Sequence, residues 1–261
     1  MSYPGPAAYQ YTFITAGLLL ATCAILYSSM SRADVASLLP VDVPPAGDIA
    51  PRSRPLQILC FGDSLTFGSD GKTYENPHPY AVHLRERFAE LGIAVNVSHI
   101  GHGGWATAKM LEPDGLAAAL DGVGVHTADT LHPPRFDTLI LLAGTNDAFQ
   151  GVSPEDIAEN IRRLHERAFA AGILRSVAVG IPPVASTHAL SNRFYPVRVA
   201  TNALLEAWAA STKDQPHEVH YVLSPAGLGD LLPDGVHFTP AGYARLGIGL
   251  ADALVSTFGL A

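Results

Sequence analysis

The sequence lacks the residues on which several protein classes depend. Its 261 residues include only two cysteines, Cys23 and Cys60, which argues against a disulfide framework and a cysteine-based zinc site. Only 15% of the residues are charged, the net charge is −8, and no run of lysines or arginines is present. A nucleic-acid-binding protein needs a basic surface, and this composition argues against one. The eleven histidines show no metal-ligand spacing with cysteine or acid, so we expect no metal.

Charge is entirely absent from the first 31 residues. Within them, residues 11–30 (YTFITAGLLLATCAILYSSM) form an uncharged run about as long as a helix that spans a bilayer. We favour an uncleaved membrane anchor formed by these residues, because the positive segment of a secretory signal is missing. A cleaved signal is the alternative, since residues 31–33 (SRA) offer a cleavage site, and the protein would then be secreted.

A proline-rich stretch follows this apolar segment. Residues 34–55 contain five prolines and no sustained hydrophobic periodicity, which predicts an extended tether. We therefore divide the chain into an anchor or signal segment (1–33), a linker (34–54) and a folded domain (55–261). With 48% hydrophobic residues, the chain can bury one sizeable core.

From residue 55 onward, short apolar runs alternate with segments of helical periodicity. This alternation predicts parallel strands joined by helical crossovers, in a three-layer α/β/α, flavodoxin-like domain with a five-stranded parallel sheet. An N-terminal apolar helix would precede the domain. The predicted strands are 56–61, 93–100, 136–144, 174–183 and 218–223, and the main predicted helices are 78–92, 153–172, 196–212 and 239–258.

Polar or glycine-rich clusters follow the predicted strands, at the edge where ligands bind in such a domain. The clusters are FGDSLTFG (61–68), GHGGWAT (101–107), GTND (144–147) and DGVHFTPAGY (234–243). Each cluster alone is ordinary turn and helix-cap chemistry. Because all of them fall at one edge of a single sheet, together they favour a functional site.

Together, the four clusters resemble the sequence blocks of the GDSL or SGNH hydrolase superfamily of esterases and lipases. The resemblance covers about residues 55–258 and implies a cofactor-independent hydrolase of small-molecule esters. The key residues of that family are a serine, a glycine, an asparagine and a histidine, one from each block. The second block here has Gly103 where serine is frequent in the family, and we take Gly104 as its donor.

The residue types in the blocks fit nucleophilic catalysis. The hydroxyl of Ser64 needs a base, and His237 is the candidate because imidazole titrates near neutral pH. Asp234, three residues before His237, can orient the ring. The backbone N–H groups of Ser64 and Gly104 and the side-chain amide of Asn146 are the candidate donors of an oxyanion hole.

Three functions remain open at this point. An ester hydrolase working through an acyl-serine is the first, with an acyl lipid, an aryl ester or an acetylated sugar as substrate. An acyltransferase would form the same acyl-serine and pass it to an alcohol. A non-catalytic carbohydrate- or lipid-binding domain is the third, but binding alone does not require this set of residues.

Overall fold

The folded part of the protein is built around a five-stranded parallel sheet. The computed structural model describes residues 54–72, 75–127 and 135–260. The strands are β1 (Leu56–Asp63), β2 (Val95–His102), β3 (Thr138–Leu142), β4 (Arg175–Val179) and β5 (Glu218–Val222). They lie in the order β2-β1-β3-β4-β5, and every neighbouring pair is parallel. This is the strand order of flavodoxin-like folds, so the predicted α/β fold with five parallel strands is confirmed.

Helices of two lengths connect these strands. The long helices, numbered in chain order with the short ones, are α2 (Tyr80–Glu90), α6 (Pro154–Ala170), α7 (Ser191–Ser211) and α8 (Pro240–Phe258). The short ones are α1 (Ser64–Phe67), α3 (Thr107–Met110), α4 (Ala118–Leu120) and α5 (Thr145–Gln150), with a π-turn at Pro113–Ala117 and a 3-10 turn at Leu228–Asp230. Three short helices, α1, α3 and α5, follow β1, β2 and β3, and the first three sequence clusters described above lie at these strand ends. The fourth cluster lies at the start of α8.

The sheet is buried on both faces, which explains the apolar runs of its strands. Because successive side chains of a strand point to opposite faces, Ile58 and Cys60 join the core under α2 and α8, whereas Leu59 and Phe61 join the core under α6 and α7. Both layers are fully packed, with the four side chains at 0% exposure. The two cores hold the sheet rigidly, so the loops at its carboxyl edge start from fixed positions.

Helix α7 is the element whose predicted start was wrong. The sequence analysis predicted this helix at about residues 196–212. The helix instead begins at Ser191 and contains Pro196 in its interior. Phe194, which is completely buried against the α6–α7 core, packs this early turn onto the fold. That packing is a tertiary contact, and local periodicity does not reveal it.

The predicted N-terminal segment at 11–30 and nearly all of the predicted linker at 34–54 lie outside the described residues. Their boundaries therefore stay predictions. Within the ranges that the structure describes, no helix is both long and apolar enough to cross a membrane.

An ionisable side chain of α6 lies inside the core. His165 is fully buried, and its Nδ1 atom lies 2.7 Å from the hydroxyl of Ser176 on β4. Its Nε2 atom has no hydrogen-bond partner among the described residues. Burial lowers the pKa of His165 from 6.5 to about 3, so the ring is neutral near pH 7.

We expect His165 to make the domain sensitive to mild acid. The unfolded chain binds a proton at this residue below about pH 6.5, whereas the folded chain does not until about pH 3, so stability falls as the pH drops through that window. The loss between pH 7 and pH 5 should be about 2 kcal/mol for this residue. Urea unfolding of a His165→Phe variant at both pH values should show a smaller pH dependence than the parent.

The same substitution at the exposed His217 provides the control for exchanging a histidine for a phenylalanine. A loss of the Ser176 hydrogen bond would shift the stability of the His165→Phe variant equally at both pH values. An unchanged difference between pH 7 and pH 5 in that variant would contradict the prediction.

Candidate active site

Ser64 lies where β1 ends and the short helix α1 begins. Asp63 caps this helix, because its Oδ1 atom accepts the N–H of Leu65 at 2.9 Å. Two glycines, Gly62 in β1 and Gly101 in β2, leave space for this turn. A Cβ atom at Gly62 would overlap the Leu142 carbonyl, and one at Gly101 would overlap the backbone nitrogen of Phe67. The absence of these two side chains lets α1 pack directly on β1 and β2, and lets the end of β1 lie against β3.

Ser64, His237 and Asp234 form a continuous hydrogen-bonded line. The Nε2 atom of His237 lies 3.0 Å from Oγ of Ser64, and its Nδ1 atom lies 2.8 Å from Oδ2 of Asp234. The serine is half-buried, and the side chains of His237 and Asp234 are 18% and 35% exposed. The structure thus brings together the three residues that the sequence predicts as nucleophile, base and orienting acid.

The second oxygen of Asp234 organises its own turn. Oδ1 accepts the N–H groups of Val236 at 2.9 Å and of His237 at 3.0 Å. Partial burial alone would raise the pKa of Asp234, but these two N–H groups and the imidazole outweigh that effect and hold the pKa below its ordinary value. The carboxylate is therefore ionised near neutral pH, as an acceptor for the Nδ1–H of the ring.

Helix α8 anchors this turn to the fold. Thr239 caps the helix by accepting the N–H of Gly242 at 3.1 Å, and Pro240 occupies its first position. A backbone hydrogen bond spans the turn before the helix, where Leu232 donates its N–H to the His237 carbonyl at 2.7 Å. The capped start of α8 and this backbone bond therefore hold the turn that carries the His237 ring.

The two remaining site residues of the sequence prediction lie at the ends of β2 and β3. Asp63 pairs with His102 in the β1–β2 register, so the exposed Gly103–Gly104 turn leaves the sheet beside Ser64. Gly104 has φ +77°, a left-handed conformation that favours glycine. Asn146, in the first turn of α5, donates from Nδ2 to the carbonyl of Trp105 at 2.9 Å. This bond ties the β2 exit to the β3 exit.

Gly71 is a site residue that the sequence analysis missed. It has φ +74°, and a Cβ atom built on it would overlap Oδ2 of Asp234 and come within 3.0 Å of Nδ1 of His237. The loop after α1 therefore lies directly against the Asp234–His237 hydrogen bond. At least 163 positions separate Gly71 from these partners, so the sequence showed only that a glycine occupies a turn here and gave no sign of the contact.

Aromatic rings border the β2 exit. The His102 and Trp105 rings are stacked with centroids 3.7 Å apart and planes 8° apart, and the Lys109 ammonium lies 5.2 Å from the Trp105 ring centre. Burial lowers the pKa of His102. The His102 ring, neutral near pH 7, is thus stacked on Trp105, and the backbone carbonyl of Trp105 accepts the hydrogen bond from the Asn146 amide.

Two buried carboxylates lie behind the site. Burial raises the pKa of Asp63 to about 7, with the Leu65 N–H opposing this effect and the nearby Asp147 adding to it. Burial also raises the pKa of Asp147, against the hydrogen bonds that it accepts from Thr107. Across the described ranges, no group of three or more histidine, cysteine or acidic side chains could hold a metal ion.

Comparison with known proteins identifies related sequences and structures. The model of the GDSL-like Lipase/Acylhydrolase family matches residues 60–245, which include Ser64, Gly104, Asn146, Asp234 and His237. No curated protein matches the chain in sequence.

Several solved structures share the fold. A carbohydrate esterase family 3 protein from Talaromyces cellulolyticus has a TM-score of 0.60 at 15% identity, over 78% of this chain and 98% of that one. A carbohydrate acetylesterase family member from Sinorhizobium meliloti has a TM-score of 0.58 at 20% identity, over 78% and 99%. An aryl esterase from M. smegmatis, solved with an inhibitor, has a TM-score of 0.54 at 22% identity, over 77% and 99%.

We expect Gly71→Ala to reduce activity through the Asp234–His237 pair. The added methyl group must displace Asp234, and a misplacement of about 1 Å in a catalytic constellation can cost on the order of 100-fold in rate. Gly92→Ala is the matched control, since Gly92 has φ +73° and open space around it. Both variants should lose roughly 1–2 kcal/mol of stability from the left-handed backbone.

Measurement of kcat and unfolding free energy on the same samples separates the two effects. Gly71→Ala should lower kcat at least about 10-fold, and Gly92→Ala should leave it near the parent value. Equal kcat values for the two variants would show that Gly71 does not support the Asp234–His237 geometry.

Proposed function

Because the chain belongs to the GDSL-like Lipase/Acylhydrolase family and is a carboxylic ester hydrolase, we propose that it forms an acyl-serine on Ser64. The observation that supports this proposal best is the hydrogen-bonded line from Ser64 through His237 to Asp234. In this arrangement the serine has a base within reach, and the base has an orienting acid.

Acylation begins when His237 accepts the hydroxyl proton of Ser64 at Nε2. The Ser64 oxygen attacks the carbonyl carbon of the ester, and the carbonyl oxygen takes up the negative charge of the tetrahedral intermediate. As the intermediate collapses, the bond to the alkoxy oxygen breaks and His237 gives that oxygen its proton. The alcohol leaves, and the acyl group stays on Ser64.

Deacylation repeats the sequence with water. His237 takes a proton from the water molecule as it attacks the acyl carbon, and then returns a proton to Ser64 as the carboxylic acid leaves. Asp234 accepts the Nδ1–H of His237 throughout, which keeps Nε2 available as a base and stabilises the imidazolium. Its lowered pKa keeps it ionised for this role.

Three N–H donors would bind the oxyanion: the backbone groups of Ser64 and Gly104 and the side-chain amide of Asn146. The Asn146 amide carries two hydrogens, and one of them bonds to the Trp105 carbonyl. We assign the second to the oxyanion. Loss of one such donor costs about 3 kcal/mol of transition-state stabilisation.

The names of the structures that share the fold suggest which esters to test first. Their names include carbohydrate acetylesterases and an aryl esterase. Acetylated sugars and aryl acetates are therefore the first substrates to test, before longer acyl lipids. A parallel assay with added alcohol measures how much of the acyl group is transferred to alcohol instead of water.

Substitutions at the hydrogen-bonded line test the mechanism. On an aryl acetate, Ser64→Ala and His237→Ala should each lower kcat by at least about 1,000-fold, and the double variant should be no worse because the residues act as a unit. Asp234→Asn should lower kcat strongly with little change in KM, since its amide can hold the ring in the wrong tautomer. The Tm of every variant serves as the control for folding.

An Asp234→Asn enzyme with a lowered Tm and a parental kcat would assign Asp234 a purely structural role. A Ser64→Ala enzyme that keeps its activity after removal of contaminating esterases would refute the acyl-serine.

We also propose that the uncharged residues 11–30 serve as an N-terminal membrane anchor. The full chain should then partition with membranes, and residues 55–261 should remain soluble and active. N-terminal sequencing of the purified full-length product is the measurement that decides. A soluble product that begins at Asp34 would establish a cleaved signal instead.

A further inference from the structure

We propose that Asp147 and Thr107 are positioning residues that hold the oxyanion-hole loop, residues 103–107, in its active conformation. The inference rests on the proposed function, because it assigns a partner to the donors of that site. Asp147 follows Asn146 directly in α5, and Thr107 begins α3 three residues after Gly104. Neither residue touches the Ser64–His237–Asp234 line in any hydrogen bond of the described chain.

The contact between Asp147 and Thr107 is dense and buried. The N–H of Thr107 lies 2.9 Å from Oδ2 and 3.1 Å from Oδ1 of Asp147, and its hydroxyl donates to Oδ1 at 2.6 Å. Both side chains are almost completely buried, at 1% and 0% exposure. Hydrogen bonds in such a buried place are electrostatically stronger than those at a surface.

Asn146 and Asp147 together hold two points of the same loop. Asn146 donates to the carbonyl of Trp105, and Asp147 accepts from Thr107. Gly104 lies between the end of β2 at His102 and the first of these two held residues, Trp105. With both of its flanks tied, the glycine at φ +77° has little freedom to move its N–H away from the oxyanion position.

A long helix steadies the same contact from the other side. Asn160 of α6 donates from Nδ2 to the hydroxyl oxygen of Thr107 at 3.1 Å. The Thr107 hydroxyl therefore accepts from α6 and donates to α5 at the same time. A valine at this position would fill the same space but would break both bonds, and a serine would keep them.

The experiment compares Thr107→Val with Thr107→Ser on an aryl acetate. Thr107→Val should lower kcat about 10-fold with KM nearly unchanged, because a misplaced oxyanion donor weakens the transition state and not ground-state binding. Thr107→Ser should keep most of the activity. Thr201→Val is the matched control: Thr201 is also fully buried, but its hydroxyl has no hydrogen-bond partner among the described residues.

A double-mutant cycle with Asp147→Asn tests whether the two residues act through one contact. Asp147→Asn should lower kcat about as much as Thr107→Val, and the double variant should be far less impaired than the product of the two single effects. Inhibition by phenylboronic acid gives an independent reading, because its tetrahedral adduct with Ser64 places an oxygen at the oxyanion position. The inhibition constant should rise in proportion to the loss of kcat/KM.

The outcomes separate this proposal from the proposed function. A Thr107→Val enzyme with parental kcat and parental boronate inhibition would overturn the positioning role, even with a lowered Tm. The same result beside an inactive Ser64→Ala enzyme would leave the acyl-serine intact. An active Ser64→Ala enzyme would remove the proposed function itself.

Discussion

The candidate site depends on one hydrogen bond between residues that are 173 positions apart, Ser64 and His237. A 3.0 Å contact across that separation requires β1 and the start of α8 to be held in fixed places. The two cores supply the rigidity. One core packs α8 and α2 on the same face of β1, so the serine at the end of the strand and the histidine before the helix share one rigid frame.

Glycines at the carboxyl edge of the sheet carry a second constraint. Gly62 and Gly101 let α1 pack on the ends of the neighbouring strands, and Gly71 lets the following loop reach Asp234. In each case a single methyl group would enter occupied space. The candidate site therefore depends on close contacts of the backbone that only glycine permits. A larger residue at any of these three positions would affect both the packing of the fold and the geometry of the site.

Buried polar contacts complete the site. Asp147 accepts from Thr107, and Asn146 donates to Trp105, so two adjacent residues of α5 hold the loop that leaves β2. The cost of burying the Asp147 carboxylate is visible in its raised pKa, and the Thr107 hydrogen bonds offset that cost. This arrangement favours the observed loop conformation, because movement of Thr107 away from Asp147 would break these hydrogen bonds.

The sequence by itself determined the fold class, the strands to within a few residues and the residues Ser64, Gly104, Asn146, Asp234 and His237 as the candidate site. Strand and helix periods are local properties, and parallel strands must expose their exits at one edge, so the fold class and the location of the site follow from short patterns. The particular residues follow from the resemblance of the four clusters to the GDSL or SGNH blocks. The tertiary structure alone decided the early start of α7, where Phe194 packs into the core, and the roles of Gly71, Thr107 and Asp147. Those residues act through contacts with chain segments distant in sequence, and no local pattern specifies which segment a turn glycine or a buried carboxylate will meet.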